Sequence, residues 1–313
     1  MAVTFGPLYY INNYVLCDKT VSFNSALKKN TVSLKNSQVK VPGDAECVSV
    51  TYDRHYVTYV DSNKLYIQNA SNGSIQGVVE DDNPIIYQVP VSDRNLVLYF
   101  TYDNSQLKIK TYDLDNNASS EHTAIDIKHL DKIRDVKYSS LTNVIYLNAS
   151  IKRLSFSYDE IYKIDIMSNV TQYAKSNSIN KMQLLNGKDA LVYEDGKNRI
   201  YIKKKEFNYN GETRFKLLGI DGNDNIYLMK NDGTGDVLVV KNNEVTDEKK
   251  ISNCNFKDTY TENNKIYLVY DNYILDIANN DKYTISPNDK IISISNYSII
   301  TKNKSNSIVV KNI

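Results

Sequence analysis

The chain has 313 residues, 41% hydrophobic and 24% charged, with 26 Tyr, 7 Phe and no Trp. That balance is too apolar for a disordered chain, and the length allows a sizeable core without disulfides or metals. Lys plus Arg number 38 against 37 Asp plus Glu, and the net charge of +1 argues against nucleic acid or an anionic membrane as partner.

The opening residues, MAVTFGPLYY, lack the basic, apolar and cleavage regions of a leader peptide. A cytoplasmic location is expected if this start is native, and an exported or cell-surface one if a leader or anchor precedes it. No run reaches the ~18 apolar residues of a membrane span, so no membrane insertion is expected. From residue 7 onward the chain alternates short runs rich in Tyr, Ile and Val with breaks of Asn and Asp, which is strand and turn chemistry. Residues 7–35 contain four such runs. So do 47–80, then 85–128 with longer turns, then 133–175 with an inserted loop. The pattern continues through 179–210 and 215–251. At 256–286 the runs FKDTY, KIYLVYD, YILDIA and KYTIS follow one another across tight turns. The last unit, 290–313, has only three.

Four antiparallel strands recurring at roughly 40 residues are the pattern of propeller blades. The reading is an all-β propeller in one domain, 1–313, with eight four-stranded antiparallel blades, or seven if 7–34 is partly loop or joins the final blade. The short last unit predicts how the ring closes. The spare N-terminal strand AVTF, at 2–5, is expected to complete the last blade and leave no open sheet edge.

The segments DSNKLYIQN (61–69) and DGNDNIYLMKND (221–232) resemble strand starts of bacterial β-propeller repeat proteins. The resemblance runs the length of the chain and implies the fold. It implies no activity, because the Gly-His and Trp-Asp marks of WD40 blades, the Gly-Gly pair of kelch blades and the Asp-box of sialidase-like blades are missing.

The residues that carry chemistry are few. Cys17, Cys47 and Cys254 are odd in number and lack metal spacing, and they read as small core or strand-end residues. His122 and His129 are seven apart, which places them on opposite faces of a strand and argues against a shared metal. There is no nucleophile elbow, phosphate loop or dinucleotide turn. The lysine run at 202–207 reads as a solvated strand edge. The oxygen-bearing residues Asp221, Asn223 and Asn225, then Asp232 and Asp236, alternate as calcium ligands do, although Asp-Gly and Asn-Asp are also ordinary turn chemistry. Calcium is the one cofactor these residues could hold; otherwise none is expected. Tyr52, His55, Tyr56 and Tyr102 lie in aromatic-polar turns of the kind a binding face uses.

The function expected from this is non-catalytic: a binding or scaffolding module that recognises a protein or other polymer through its loops. One alternative is a glycosidase or lyase with carboxylates around the central channel. Another is a structural ectodomain of a membrane-anchored bacterial surface protein.

Overall fold

The computed structural model describes residues 38–312, apart from 263–264, 278–279, 287–288, 296–297 and 306. The strand expected at 2–5, the blade expected at 7–35 and Cys17 lie outside the described residues. The first strand, β1 (Gln38–Lys40), joins the last sheet. Blade one is β2 (Glu46–Val50), β3 (Tyr56–Asp61), β4 (Lys64–Asn69) and β5 (Ile75–Val79). Blade two is β6 (Ile85–Pro90), β7 (Leu96–Asp103), β8 (Gln106–Asp113) and β9 (Ala118–Asp126). Blade three is β10 (Leu130–Ser139), β11 (Val144–Arg153), β12 (Phe156–Ile164) and β13 (Val170–Ser176). Blade four is β14 (Ile179–Leu184), β15 (Leu191–Asp195), β16 (Ile200–Ile202) and β17 (Lys205–Glu206). Blade five is β18 (Phe215–Ile220), β19 (Ile226–Lys230), β20 (Asp236–Lys241) and β21 (Glu244–Lys250). Blade six is β22 (Asp258–Glu262), β23 (Lys265–Val269), β24 (Tyr273–Asp276) and β25 (Asp281–Thr284). Blade seven takes β26 (Lys290–Ser295), β27 (Ser298–Lys302) and β28 (Ser307–Asn312), with β1 as its fourth strand.

All pairs within the blades are antiparallel meanders. The first strands of successive blades touch one another around a ring, and β26 of blade seven touches β2 of blade one. The described residues therefore form a closed propeller of seven blades. The expected count of eight is corrected to seven, because β2 already meets β26 and leaves no gap for another blade. The strand that closes the ring is also corrected. It is β1, not 2–5, that pairs with β28, through Gln38↔Val309, Val39↔Ile308 and Lys40↔Ser307.

Burial follows from position in the blade. The second strands are covered on both sides by neighbouring blades, so β15 (LVYED) is buried throughout and β19 (IYLMK) nearly so. Such strands read as continuous apolar runs, not as alternating ones. The fourth strands face water, and β21 (EVTDEKK) is almost entirely exposed. Each apolar cluster is shared by two adjacent blades, as where Leu217 and Leu228 pack with Val192 and Ile200. Tyr59, Tyr99, Tyr146, Tyr193, Tyr227 and Tyr267, one from each of the first six second strands, are all buried. Turn chemistry completes the hairpins. Ser62–Asn63 and Asn104–Ser105 have positive φ at both positions, as tight two-residue turns require. Lys203 and Lys204 adopt the same pair of positive angles, so the lysine run is a hairpin tip leading into the short outer strand β17.

Closure by β1 gives a test. Val39 is buried against blade seven opposite Ile308. Val39→Asp places a carboxylate in that sheet and is expected to lower stability by about 3 kcal/mol in urea unfolding. An unchanged midpoint would mean that another strand closes the ring.

Candidate functional site

Because every blade is a meander, its turns alternate between two faces. On the front face lie the starts of the inner strands and the turns between second and third strands. On the back face lie the turns between first and second, and between third and fourth, strands.

The inner strands are not regular. The ladder between first and second strands slips by a residue in blades one to five and in blade seven, for example between Ile179 and Lys181 and between Leu217 and Gly219. A bulge of this kind removes a backbone donor from the ladder. The preceding blade supplies a partner. Glu194 Oε2 accepts from Leu217 N at 2.8 Å, and Asp159 Oδ2 accepts from Ile179 N at 2.8 Å. Glu194 also accepts from Asn180 Nδ2, and Asp159 from Arg134 Nε. Between blades one and two, Gln88 accepts from Thr58 Oγ1 and donates to Thr58 O, to the carbonyl of Cys47 and to Ser49 Oγ.

Lys181 reaches from blade four across the inner strand of blade five to that of blade six. Its Nζ donates to Leu218 O and Thr259 O, each at 2.9 Å, and to Thr259 Oγ1. Three acceptors match the three protons of an ammonium group. Burial pulls its pKa down to about 8; Asp258 and Glu194 oppose the fall, while Lys137 and Lys216 add to it.

Two cavities open on the front face. The larger, about 540 Å3, lies between the front ends of blades one, two and three. Its wall carries Asp44, Glu46, Asp61 and Asp131 against one base, Lys132, over apolar Val60, Ile85 and Ile133. Tyr87 also lines it, edge-on to Phe100 with ring centres 5.9 Å apart. Burial pushes the Tyr87 hydroxyl well above the usual tyrosine range, and Asp135 and Cys47 add to that. Burial likewise pushes the Cys47 thiol up. The smaller cavity, about 390 Å3, lies between blades six and seven and mixes Lys257 and Lys290 with Asp258, Asp271 and Asp289.

The residues expected to form a binding group divide between the faces. Tyr52 and His55 sit in the first turn of blade one on the back face, where His55 Nδ1 lies 2.9 Å from Asp53, and Tyr56 starts β3 beside them. Tyr102 stands at the front end of β7, lines the larger cavity and donates its hydroxyl to Ile127 O. The candidate calcium ligands divide in the same way. In the back-face turn of blade five, Asp221 accepts from the backbone of Asn223 and Asn225, from Asn225 Nδ2 and from Tyr227. In the front-face turn, Asp232 accepts from Thr234, and Asp236 lies between Lys230 and Lys250. Among the described residues no three His, Cys, Asp or Glu converge as metal ligands do. Cys47 and Cys254 are free thiols. The cavity acids did not stand out in the sequence. Their common feature is that each lies next to an inner-strand start or in a front-face turn.

No family model and no curated protein matches the chain. Among solved structures it is similar to Hsv2 of Kluyvelomyces marxianus, at 14% identity and a TM-score of 0.50 over 83% of this chain and 89% of that one. It is also similar to KlHsv2 with its loop 6CD replaced by a Gly-Ser linker, at 14% identity and a TM-score of 0.50 over 86% and 90%. The chain is a β-propeller. At this identity the likeness is one of fold, and the function has to be argued from the site.

The Lys181 bridge predicts a pH dependence. An unfolded lysine titrates near 10.5, above the folded value of about 8. Between those values the unfolded chain holds more protons, so stability rises with pH. Relative to Lys181→Met, the native protein is expected to gain roughly 2 kcal/mol between pH 7 and pH 10. Parallel urea-midpoint curves for the two proteins would show that Lys181 is not desolvated.

Proposed function

We propose that the chain is a non-catalytic binding propeller that recognises a protein partner through its front face. The observation that carries this reading is the placement of both cavities on that face, one of them acid-lined and framed by three blades. A rigid ring holding loops around a concave patch is a common setting for recognition. The buried carboxylates of the inner blades favour binding over glycoside hydrolysis. Glu194 and Asp159 are occupied by backbone N–H groups of the next blade. Asp195, next to Glu194, is raised by burial but lowered further by its bonds from Arg199, and ends below the usual carboxylate range. A glycosidase needs one carboxyl held protonated opposite a second, ionised one.

The test separates the two faces. Asp61→Lys combined with Asp131→Lys reverses charge in the front cavity, and Asp115→Lys does so in an exposed back-face turn. Capture of a partner from a lysate of the source cells is expected to fall by about tenfold for the front-face pair and to persist for the back-face variant. Thermal midpoints close to native would confirm that both variants fold. Equal loss from both faces, or from neither, would overturn the reading.

A further inference from the structure

Blade three is built differently from its neighbours. Its strands β10, β11 and β12 run for ten, ten and nine residues. The hairpin between β11 and β12 therefore stands proud of the front face. Leu130, in the wall of the large cavity, pairs with Ile151, and Lys152 N donates to His129 O. Beyond that point the hairpin has no inner-strand partner. Its tip carries Leu154, fully exposed at φ +24°, and Phe156, 57% exposed. At ~3.3 Å per residue, these side chains stand roughly 10 Å beyond the cavity wall. Leu154 lies wholly outside the core, and Phe156 reaches it only by stacking on Tyr158, with ring centres 6.1 Å apart. Of the cations around the tip, Arg153 lies 6.0 Å from the Tyr158 ring centre and Lys175 of β13 lies 3.8 Å from it, while Lys152 is exposed.

The cavity beside the tip has an apolar floor and an acidic mouth. Among the described residues Asp44, Glu46, Asp61 and Asp131 form no ion pair, and Asp61 accepts a hydrogen bond from Ser62 Oγ. The Tyr87 hydroxyl has no hydrogen-bond partner there either. A long cationic side chain suits such a space: its methylenes lie on the floor and its charge stays at the carboxylates. A volume of about 540 Å3 accommodates that side chain with some of its own backbone, and is far larger than a bare ion needs.

We propose that the cavity between blades one, two and three takes a lysine or arginine side chain from an extended segment of a partner protein, with an apolar residue of the same segment resting on the Leu154–Phe156 tip. This rests on the front-face reading and adds the chemistry of the partner.

The probes are capped octapeptides with a central Lys or Arg followed two residues later by Leu or Phe. A second set replaces the apolar residue with Ser, and a third replaces the cation with Glu. Binding to the full chain is measured by titration calorimetry at low and at physiological salt. The basic–apolar peptides are expected to bind about tenfold more tightly than the Glu set, and more weakly as salt rises. Asp61→Asn with Asp131→Asn is expected to erase that difference. Leu154→Ser with Phe156→Ser is expected to erase only the preference for Leu or Phe over Ser; both positions are exposed, so the fold is retained. Equal affinity for the basic and Glu sets, or native-like binding by the Asn pair, overturns the proposal. So does self-association that the Asn pair abolishes, which would make a second copy the occupant. If the peptides fail while partner capture still depends on Asp61 and Asp131, the basic-segment proposal falls and the front-face reading stands.

Discussion

Three residue pairs hold β1 against β28, and the rest of the ring depends on them. A fan of sheets buries the two sides of an inner blade, but its first and last blades would each leave one side in water. Closure makes every blade an inner one. It is what lets the second strands be buried on both sides, as in β15 and β19. The closing strand is also tied sideways, because Gln68 of blade one donates to Lys40 O. The seam thus has strand pairing along blade seven and a polar link to blade one.

Inside the ring the inner strands converge, and the bulges answer that crowding. In blades four and five the bulge frees a backbone donor close to the preceding blade. Glu194 and Asp159 take up these two donors across the blade boundary. Lys181 does the converse, delivering donors to carbonyl groups of two later blades. A buried polar group is tolerated when its partners are supplied. Here the partners come from a different blade, so the same bonds that satisfy the bulges also fix the blades relative to one another. Gly219 shows how close the approach is: a Cβ there would meet Thr261 Oγ1 of blade six.

The four-stranded antiparallel unit and the propeller class were legible in the sequence because Asn and Asp turns and short Tyr, Ile and Val runs report local geometry. The number of blades was not. Whether a set of strands is a blade depends on what lies beside it after closure, and no local signal marks the seam at Gln38–Lys40. Lys203 and Lys204 show the same limit on a smaller scale: nothing in a lysine run announces a turn with two positive φ angles. The aromatic residues posed a different problem. Tyr52, His55, Tyr56 and Tyr102 look alike as turn-flanking aromatics, yet of the four it is Tyr102 that lines the larger front-face cavity. The signal that separates them is parity. A turn after the first or third strand of a meander goes to the back face, and a turn after the second goes to the front. Counting turns from each inner strand assigns Tyr52 and Tyr102 to opposite faces without any tertiary information.

Parity also explains how one face can specialise. The back-face turns are bounded at their inner ends by the first and second strands, and polar residues lock several of them from within. Asp221 in blade five and Asp165 in blade three each hold backbone N–H groups of their own turn. Such turns are closed units with their polar groups already satisfied. The front face collects the loose ends: connections from one blade to the next, starts of bulged strands, and hairpins whose length is free to vary. Lengthening β11 and β12 moves Leu154 and Phe156 outward without disturbing the Ile145, Leu147 and Ile164 packing below. A ring of this design can alter what it presents on the front while its core and its back-face turns stay constant.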